Sequence, residues 1–428
     1  MLRSSLIVSF VIVFFAHGSV GAYAPDRVVS LPNFPAFPST TYAGYLTVGG
    51  GRQAFYYFAE SQGIPSTDPL VVWFNGGPGC SSMEGNLAEL GPVTLGSDGT
   101  FQVNPYSWNK ISNSLFIEAP PGVGFSKDTK PPTTYTDDLT AQLNYEALQA
   151  FLTKFPEFGG RDLYLTGESY AGHYVPQLAQ QIYSGSNTTI RSMMKGFMVG
   201  NPCTGDIGCG NADPTLDPFL QYHGFKPLSS SIPNKGGANY DPYDILVNTC
   251  ANQRLARHIN FPHPVMDAFK RRFKDVPTVD PCSDNVLTSF LNEAAVQTAL
   301  HVTPTSWQEC GGVDYDFNPK GVTDLYQNFM NNTNWKILVF GGSADTVVNF
   351  AQTETVIVGL GRTRTSDWTP WNYQSAKDGM QLGGFFVTFD RVSFATVNGA
   401  GHMVPEYQPG PALELFTSFL KTGKPGRQ

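Results

Sequence analysis

The sequence predicts an α/β fold: a mostly parallel central sheet flanked by helices and interrupted by a cap insertion. Three observations carry this reading. Continuous apolar runs such as Leu70-Val71-Val72-Trp73-Phe74 alternate with stretches of helical spacing such as Asp137 to Phe155. Several of the runs stop abruptly at loops of small residues. Between about Asn201 and Tyr315 the texture changes, with most of the cysteines, many Pro, Gly and Asn residues and few continuous strands.

Taken in order, residues 1–22 read as a secretory signal peptide. Arg3 supplies the charged end, Leu6 to Ala16 the apolar stretch, and Val20-Gly21-Ala22 a small-residue cleavage site. That stretch is too short to span a bilayer comfortably, which argues against a membrane anchor. Tyr42 to Ala59 reads as a hairpin around Gly49-Gly50-Gly51. Buried strands follow at Leu70 to Phe74 and Ser114 to Glu118, then a helix with Leu139, Leu143, Ala147, Leu148, Phe151 and Leu152 on one side. Leu163-Tyr164-Leu165 and Phe197-Met198-Val199 are further strands. Strand signals return at Lys336 to Phe340, Phe385 to Phe389 and Val392 to Val397, and a last helix covers Pro411 to Leu420. The organisation expected is a signal at 1–22, a core at 23–200, a cap at 201–315 and the rest of the core at 316–428.

Composition narrows the function classes. The 428-residue chain carries a formal charge of −8, or −9 once residues 1–22 are removed, because Arg3 is their one charged residue. An acidic chain without Lys/Arg runs is a poor nucleic-acid binder. Six cysteines, an even number, suit an oxidising compartment but leave 15 pairings open. No C-x-x-C or H-E-x-x-H occurs, so no metal or other cofactor is expected. Sequons at Asn187 and Asn331 are candidate glycosylation sites on surface loops.

The chemistry concentrates at three strand ends. Gly167-Glu168-Ser169-Tyr170-Ala171-Gly172 follows a strand and opens a helix, the strand–turn–helix nucleophile elbow of α/β-hydrolases. Phe340 leads into Gly341-Gly342-Ser343-Ala344-Asp345, and Val397 into Asn398-Gly399-Ala400-Gly401-His402. Ser169, Asp345 and His402 thus follow the chain order of that fold. His402 would take the Ser169 proton, and Asp345 would hold the imidazole tautomer. His173 is a rival base, but four residues along the same helix its side chain lies a turn from the hydroxyl. His223, His258, His263 and His301 lack a strand-end setting and read as structural.

Three segments carry a family resemblance: Trp73 to Ser82, Gly167 to Tyr174, and Gly399 to Pro405. They resemble the signatures of serine carboxypeptidases, the group of yeast carboxypeptidase Y, the cereal enzymes and lysosomal cathepsin A. The similarity spans nearly the whole mature chain; the Asp345 motif is matched more loosely. The resemblance implies an α/β-hydrolase fold and release of single C-terminal residues from peptides and proteins through an acyl-enzyme; the closeness of Glu168 and Glu89, two carboxyls that cannot both ionise easily, makes the expected working pH acidic. The resemblance also implies an oxyanion hole from the amides of Gly77 and Tyr170. It assigns the substrate carboxylate to Asn75, Gly76 and Glu168, with Glu89 paired to Glu168. Trp73 would support that network and Met403 line the leaving-residue pocket, although core packing also explains both. The implied disulfides are Cys80–Cys310, Cys203–Cys209 and Cys250–Cys282. Alternatives are an acyltransferase, whose members tend to replace the residues matching Asn75 and Glu168, and a cathepsin A-like protective scaffold. Expected partners are peptide or protein C-termini, with no membrane contact after signal removal; a homodimer is compatible. The expected location is the secretory pathway, ending in a lysosome, a vacuole or outside the cell.

Overall fold

The computed structural model describes residues 23–96, 99–130, 133–205, 213–229, 231, 240–247, 283–311, 313–316 and 318–426. The signal peptide, Cys209, Cys250, Cys282, His258 and His263 lie outside the described residues. No helix among the described residues is long and apolar enough to cross a membrane.

An eleven-stranded sheet organises the chain. Its strands are β1 (Arg27–Val28), β2 (Thr41–Val48), β3 (Arg52–Ala59), β4 (Leu70–Phe74), β5 (Asn113–Ile117), β6 (Leu163–Glu168), β7 (Met194–Gly200), β8 (Lys336–Gly342), β9 (Thr369–Ser375), β10 (Gly379–Phe389) and β11 (Val392–Val397). The spatial order is β1-β2-β3-β5-β4-β6-β7-β8-β11-β10-β9. The centre, from β5 to β11, is parallel. Antiparallel strands extend it on both flanks, including the hairpin β2–β3 turned by Gly49–Gly51.

The central strands are buried along nearly their whole length, polar positions such as Asn113, Ser114 and Thr166 included, because helices cover both faces. Leu70, Val72 and Phe74 face one core while Val71 and Trp73 face the other; Ile337 and Val339 alternate likewise with Leu338 and Phe340. On the first face lie α1 (Asp137–Lys154), α2 (Ala171–Ser184) and α3 (Thr323–Asn332). Thr136 caps α1 by accepting from the Leu139 amide, and Asp137 and Asp138 complement the helix dipole in its first turn. On the second face α4 (Pro409–Thr422) packs Ala412, Leu415, Phe416 and Phe419, with Phe416 stacked on Trp108 at 4.1 Å.

Within residues 201–315 the described structure is loops and short helices, Leu216–Tyr222, Ser283–Leu291 and Ala294–Ala299, with a short strand, Asp314–Asp316, beginning at its end and pairing with Thr134–Thr136. Leu291 and Val296 join the second core, and the Cys80–Cys310 disulfide joins the far end of the segment to the loop after β4.

An aromatic cluster holds α1 to the sheet: Phe151 meets Phe58 at 5.0 Å, Phe155 at 4.8 Å and Tyr56 at 6.0 Å. Phe151 is fully buried. Phe151→Ala should therefore lower unfolding free energy by about 3–5 kcal/mol, read from the urea midpoint.

Candidate active site

Each element of the site begins at the carboxyl end of a parallel strand, where loops can converge over the sheet edge. β6 ends at Glu168, and Ser169 follows with φ of 56°, a left-handed conformation that a non-glycine residue adopts only when its surroundings impose it. Those surroundings are specific. The Ser169 amide donates to Gly200 O at 3.0 Å, and Ser169 O accepts from the Cys203 amide at 2.9 Å. A Cβ on Gly167 would lie 2.5 Å from Phe74 O, and one on Gly172 would lie 2.4 Å from Cys203 O. This crowding is why small residues flank the serine.

The Asn75-Gly76-Gly77 loop lies directly on the elbow. A Cβ on Gly76 would fall 2.4 Å from the Tyr170 amide nitrogen and 2.6 Å from Ser169 Cβ. Gly77 has φ of 107°. Gly76 and the turn at Gly77 thus sit against Ser169 and the Tyr170 amide, and both glycines line the cavity with the serine. Cys80, bonded to Cys310, anchors the loop, and Ser81 N and Gly79 O pair with Glu309 O and Gly311 N at 2.7 and 2.9 Å.

His402 Nδ1 is 2.7 Å from Asp345 Oδ2, with both side chains buried. A carboxylate oxygen accepts, so Nδ1 donates and Nε2 keeps its lone pair. Ser169 and His402 line one cavity of about 390 Å³ together with Asn75, Gly76, Gly77 and Glu168. Asp345 is held by the Val347 amide at 2.7 Å and the Val348 amide at 3.2 Å.

Asn201, which no motif singled out, completes that set. Its Nδ2 donates to Asp345 Oδ2 at 2.7 Å and to Val348 O at 3.2 Å, and its Oδ1 accepts from the Gly342 amide at 3.1 Å. It is fully buried with φ of 40°. The available signal was an asparagine immediately after the strand beside the serine strand, but strand-end asparagines usually make turns. The segment 240–247 was equally invisible in the sequence. Tyr243 O accepts the His402 amide at 2.7 Å, Ile245 N donates to Ala344 O at 3.0 Å, and the Tyr243 ring stands edge-on to His402 at 5.3 Å.

A carboxyl cluster lies beside the serine. Asn75 Nδ2 is 3.1 Å from Glu89 Oε1, 3.1 Å from Glu168 Oε1 and 3.4 Å from Glu84 Oε2. Its orientation is fixed from behind, because Oδ1 accepts from Trp73 Nε1 at 2.7 Å and from the Gly85 amide at 3.2 Å. Burial pushes the Glu89 carboxyl up to about 7. Burial, then the nearby Glu89 and Glu84 charges, push Glu168 well above the usual range. Oε2 of each meets no N–H or O–H donor among the described residues, and carboxyls raised in this way are ones that can keep a proton. Glu84 is the member missed by sequence reasoning, since its place emerges only when the turn Ser82–Glu84 folds back on Asn75.

The remaining residues fall elsewhere. His173 is buried, 3.3 Å from Asp137 and stacked on Tyr170, away from the base position. His223 and His301 bond Phe219 O and Ala43 O. Met403 lines the cavity, whereas Trp73 is buried behind it. Asn187 caps Thr188–Met193 through Oδ1, and Asn331 is exposed. Cys203 is disulfide-bonded, to a partner outside the described residues.

Asn201→Gly tests the acid's support, because glycine accepts the positive φ and removes only the amide. The expected result is a kcat about 10–100-fold lower with KM within about twofold, as for loss of a group that acts by orientation. A normal kcat would make the amide merely structural.

Comparisons with known proteins bear on the family and the fold. The family model described as serine carboxypeptidase matches residues 32–422. Among curated proteins, Serine carboxypeptidase-like 36 of Arabidopsis thaliana is 36% identical over 423 residues, covering 92% of this chain and 86% of that protein. Serine carboxypeptidase-like 26 of Arabidopsis thaliana is 35% identical, covering 92% of each. Among solved structures, a prohormone-processing carboxypeptidase from Saccharomyces cerevisiae superposes with a TM-score of 0.69 over 95% of this chain and 99% of that one, at 19% identity, a likeness of fold. With an eleven-stranded sheet, parallel at its centre, and a family match from residue 32 to residue 422, the chain belongs to the serine carboxypeptidase family of α/β-hydrolase enzymes.

Proposed function

We propose that this enzyme is a serine-type carboxypeptidase that releases single C-terminal residues from peptides through an acyl-enzyme at acidic pH. The observation that carries the reading is the oriented Asn75 amide with Glu168, both lining the same cavity as Ser169 and His402, and with Glu89 bonded to that amide. Such a cluster is a receptor for one carboxylate: Asn75 donates, and a carboxyl that keeps its proton donates as well.

In the proposed cycle His402 Nε2 accepts the Ser169 proton as Oγ attacks the last peptide carbonyl. The oxyanion that forms meets the Gly77 and Tyr170 amides, donors that need no reorganisation. Collapse breaks the C–N bond, and His402 returns the proton to the departing amine. Water, deprotonated by His402, then attacks the acyl carbonyl, and as the ester C–O bond breaks His402 returns that proton to Ser169 Oγ, releasing the shortened peptide. Asp345 keeps Nδ1 protonated and stabilises the imidazolium. Residues 1–22, the Cys80–Cys310 bond and the sequons at Asn187 and Asn331 support synthesis through the secretory pathway. The segment 201–315, whose residue 243 reaches His402, is the proposed cap.

The direct test compares peptides with a free and an amidated C-terminus. The amide should lose about 10²-fold or more in kcat/KM, because it leaves the cluster's polar groups unpaired. Equal turnover would remove the exopeptidase reading, and transfer to an added alcohol in place of hydrolysis would favour an acyltransferase. Fluorophosphonate labelling lost in Ser169→Ala would exclude a purely scaffolding role.

A second test is the pH dependence of KM. Both clamp carboxyls are raised, so the pair is protonated at pH 5 and begins to lose protons as pH rises through about 7, where Glu89 titrates, while Glu168 is held well above the usual carboxylate range. The groups facing the pair are Asn75, Glu84, Glu406 and His402, so a deprotonated pair faces a largely anionic wall. KM should rise toward neutral pH with kcat less affected. Glu168→Gln should flatten that rise, since an amide donates at any pH. A wild-type KM constant from about pH 5 to about pH 7.5 would eliminate the shared-proton clamp.

A further inference from the structure

Asp137, the first residue of α1, is a buried carboxylate outside the cavity lining, and no step of the proposed cycle uses it. It accepts four hydrogen bonds. The Tyr170 and Tyr315 hydroxyls each donate to its Oδ1 at 2.9 Å, and the Asn318 amide and His173 Nδ1 donate to its Oδ2 at 3.0 and 3.3 Å. Burial by itself raises this carboxyl, but the bonds from His173, the Asn318 amide and Tyr170 outweigh it and hold it down at about 2. Asp137 is therefore ionised at acidic and neutral pH alike, and its hydrogen bonds are of the stronger, charge-assisted kind.

These bonds fix the ring of Tyr170, the residue directly after the serine. Its hydroxyl is held by Asp137, and its face lies on His173 at 4.7 Å with the planes 12° apart. Tyr174 and Tyr315 stand edge-on to it at 5.3 and 5.6 Å. A ring held at its tip and on its face fixes its own Cα–Cβ bond, and with it the peptide between Ser169 and Tyr170. That peptide needs restraint. Relaxing the φ of 56° at Ser169 would swing the following peptide and carry the Tyr170 amide with it. The Cys203 amide holds this peptide at its oxygen, at 2.9 Å, and the ring holds it at the Tyr170 end. Tyr174, one turn further along α2, reaches the other half of the hole: its hydroxyl accepts from the Gly79 amide at 3.3 Å, two residues after Gly77.

We propose that Asp137 is a positioning residue for the oxyanion hole, acting through the Tyr170 side chain to keep the Tyr170 amide in place as charge develops on the substrate oxygen. The proposal rests on the reading of Gly77 and Tyr170 as the oxyanion donors. A donor that is already aimed costs no reorganisation in the transition state, so a group that aims it contributes to kcat and not to substrate binding.

The experiment uses the full-length enzyme, a peptide substrate, a peptide aldehyde and the corresponding peptide alcohol. The aldehyde carbon adds Ser169 Oγ, the hydroxyl proton passes to His402, and the former carbonyl oxygen becomes an oxyanion in the hole; the alcohol binds without this step. Tyr170→Phe keeps the ring and the amide and removes only the bond to Asp137. It should lower kcat about tenfold with KM within about twofold, and weaken the aldehyde by about the same factor while leaving the alcohol unchanged. Asp137→Ala should cost about as much in kcat, and the double variant scarcely more, because both act through one contact. Tyr315→Phe removes a bond of equal length to the same carboxylate oxygen without touching Tyr170, and should cost less than about threefold. A normal kcat in Tyr170→Phe overturns the proposal. So does equal weakening of aldehyde and alcohol, or a loss in Tyr315→Phe as large as that in Tyr170→Phe. The two tyrosine variants decide the matter even if Asp137→Ala does not fold. A wild-type enzyme that binds the aldehyde more tightly than the alcohol keeps the oxyanion reading intact whatever the variants do, and one that binds both alike overturns the reading and the proposal together.

Discussion

The serine's backbone is the constraint on which the site depends. A left-handed residue at a strand end costs about 1–3 kcal/mol, and it persists only where its neighbours leave no alternative. At Ser169 those neighbours are the ends of the flanking strands. Gly200 O and the Cys203 amide bracket it from β7, and the loop after β4 presses Gly76 against it. The same end of β7 supplies Asn201, whose amide grips Asp345. One short segment therefore fixes both the serine and the acid. The distance between them is set by strand spacing in a parallel sheet rather than by flexible loops.

Behind the catalytic groups the fold accepts a cost. Glu89, Glu118 and Asp244 are pushed up to about 7 by burial, and Glu168 is raised further with them. Each has a local structural partner. Glu118 accepts from Ser81, from the Phe125 amide at 2.6 Å and from Trp307 Nε1 at 3.2 Å, linking the loop after Cys80 to the segment before Cys310. Asp244 accepts from the Leu246 amide at 2.8 Å within the segment that covers His402. Buried carboxyls remain tolerable while they keep a proton or several donors. A carboxyl that keeps its proton is also a donor, which is what the proposed binding of a terminal carboxylate asks of Glu89 and Glu168.

Sequence reading reached the strands, the elbow and the order of serine, acid and histidine because these leave period and small-residue signatures. Helical spacing from Asp137 became α1, and the run at Leu70 became a strand buried on both faces. Asn201, Glu84 and Tyr243 left no such signature. Each acts through a partner far away in the chain or across a turn: Asn201 on Asp345, Glu84 on Asn75, Tyr243 on His402.

What the sequence by itself determined is therefore local: which segments are strands or helices, and which side chains are chemically able to attack, accept or donate. The tertiary structure decided what those side chains became. It turned Asn75 so that Trp73 and the Gly85 amide occupy its oxygen and its NH₂ must face three carboxyls. It left His173 stacked on Tyr170 and bound to Asp137, while His402 received Asp345 and the cavity. The physical reason is that hydrogen-bond direction and desolvation depend on neighbours in space, and in a parallel sheet those neighbours come from strands distant in sequence.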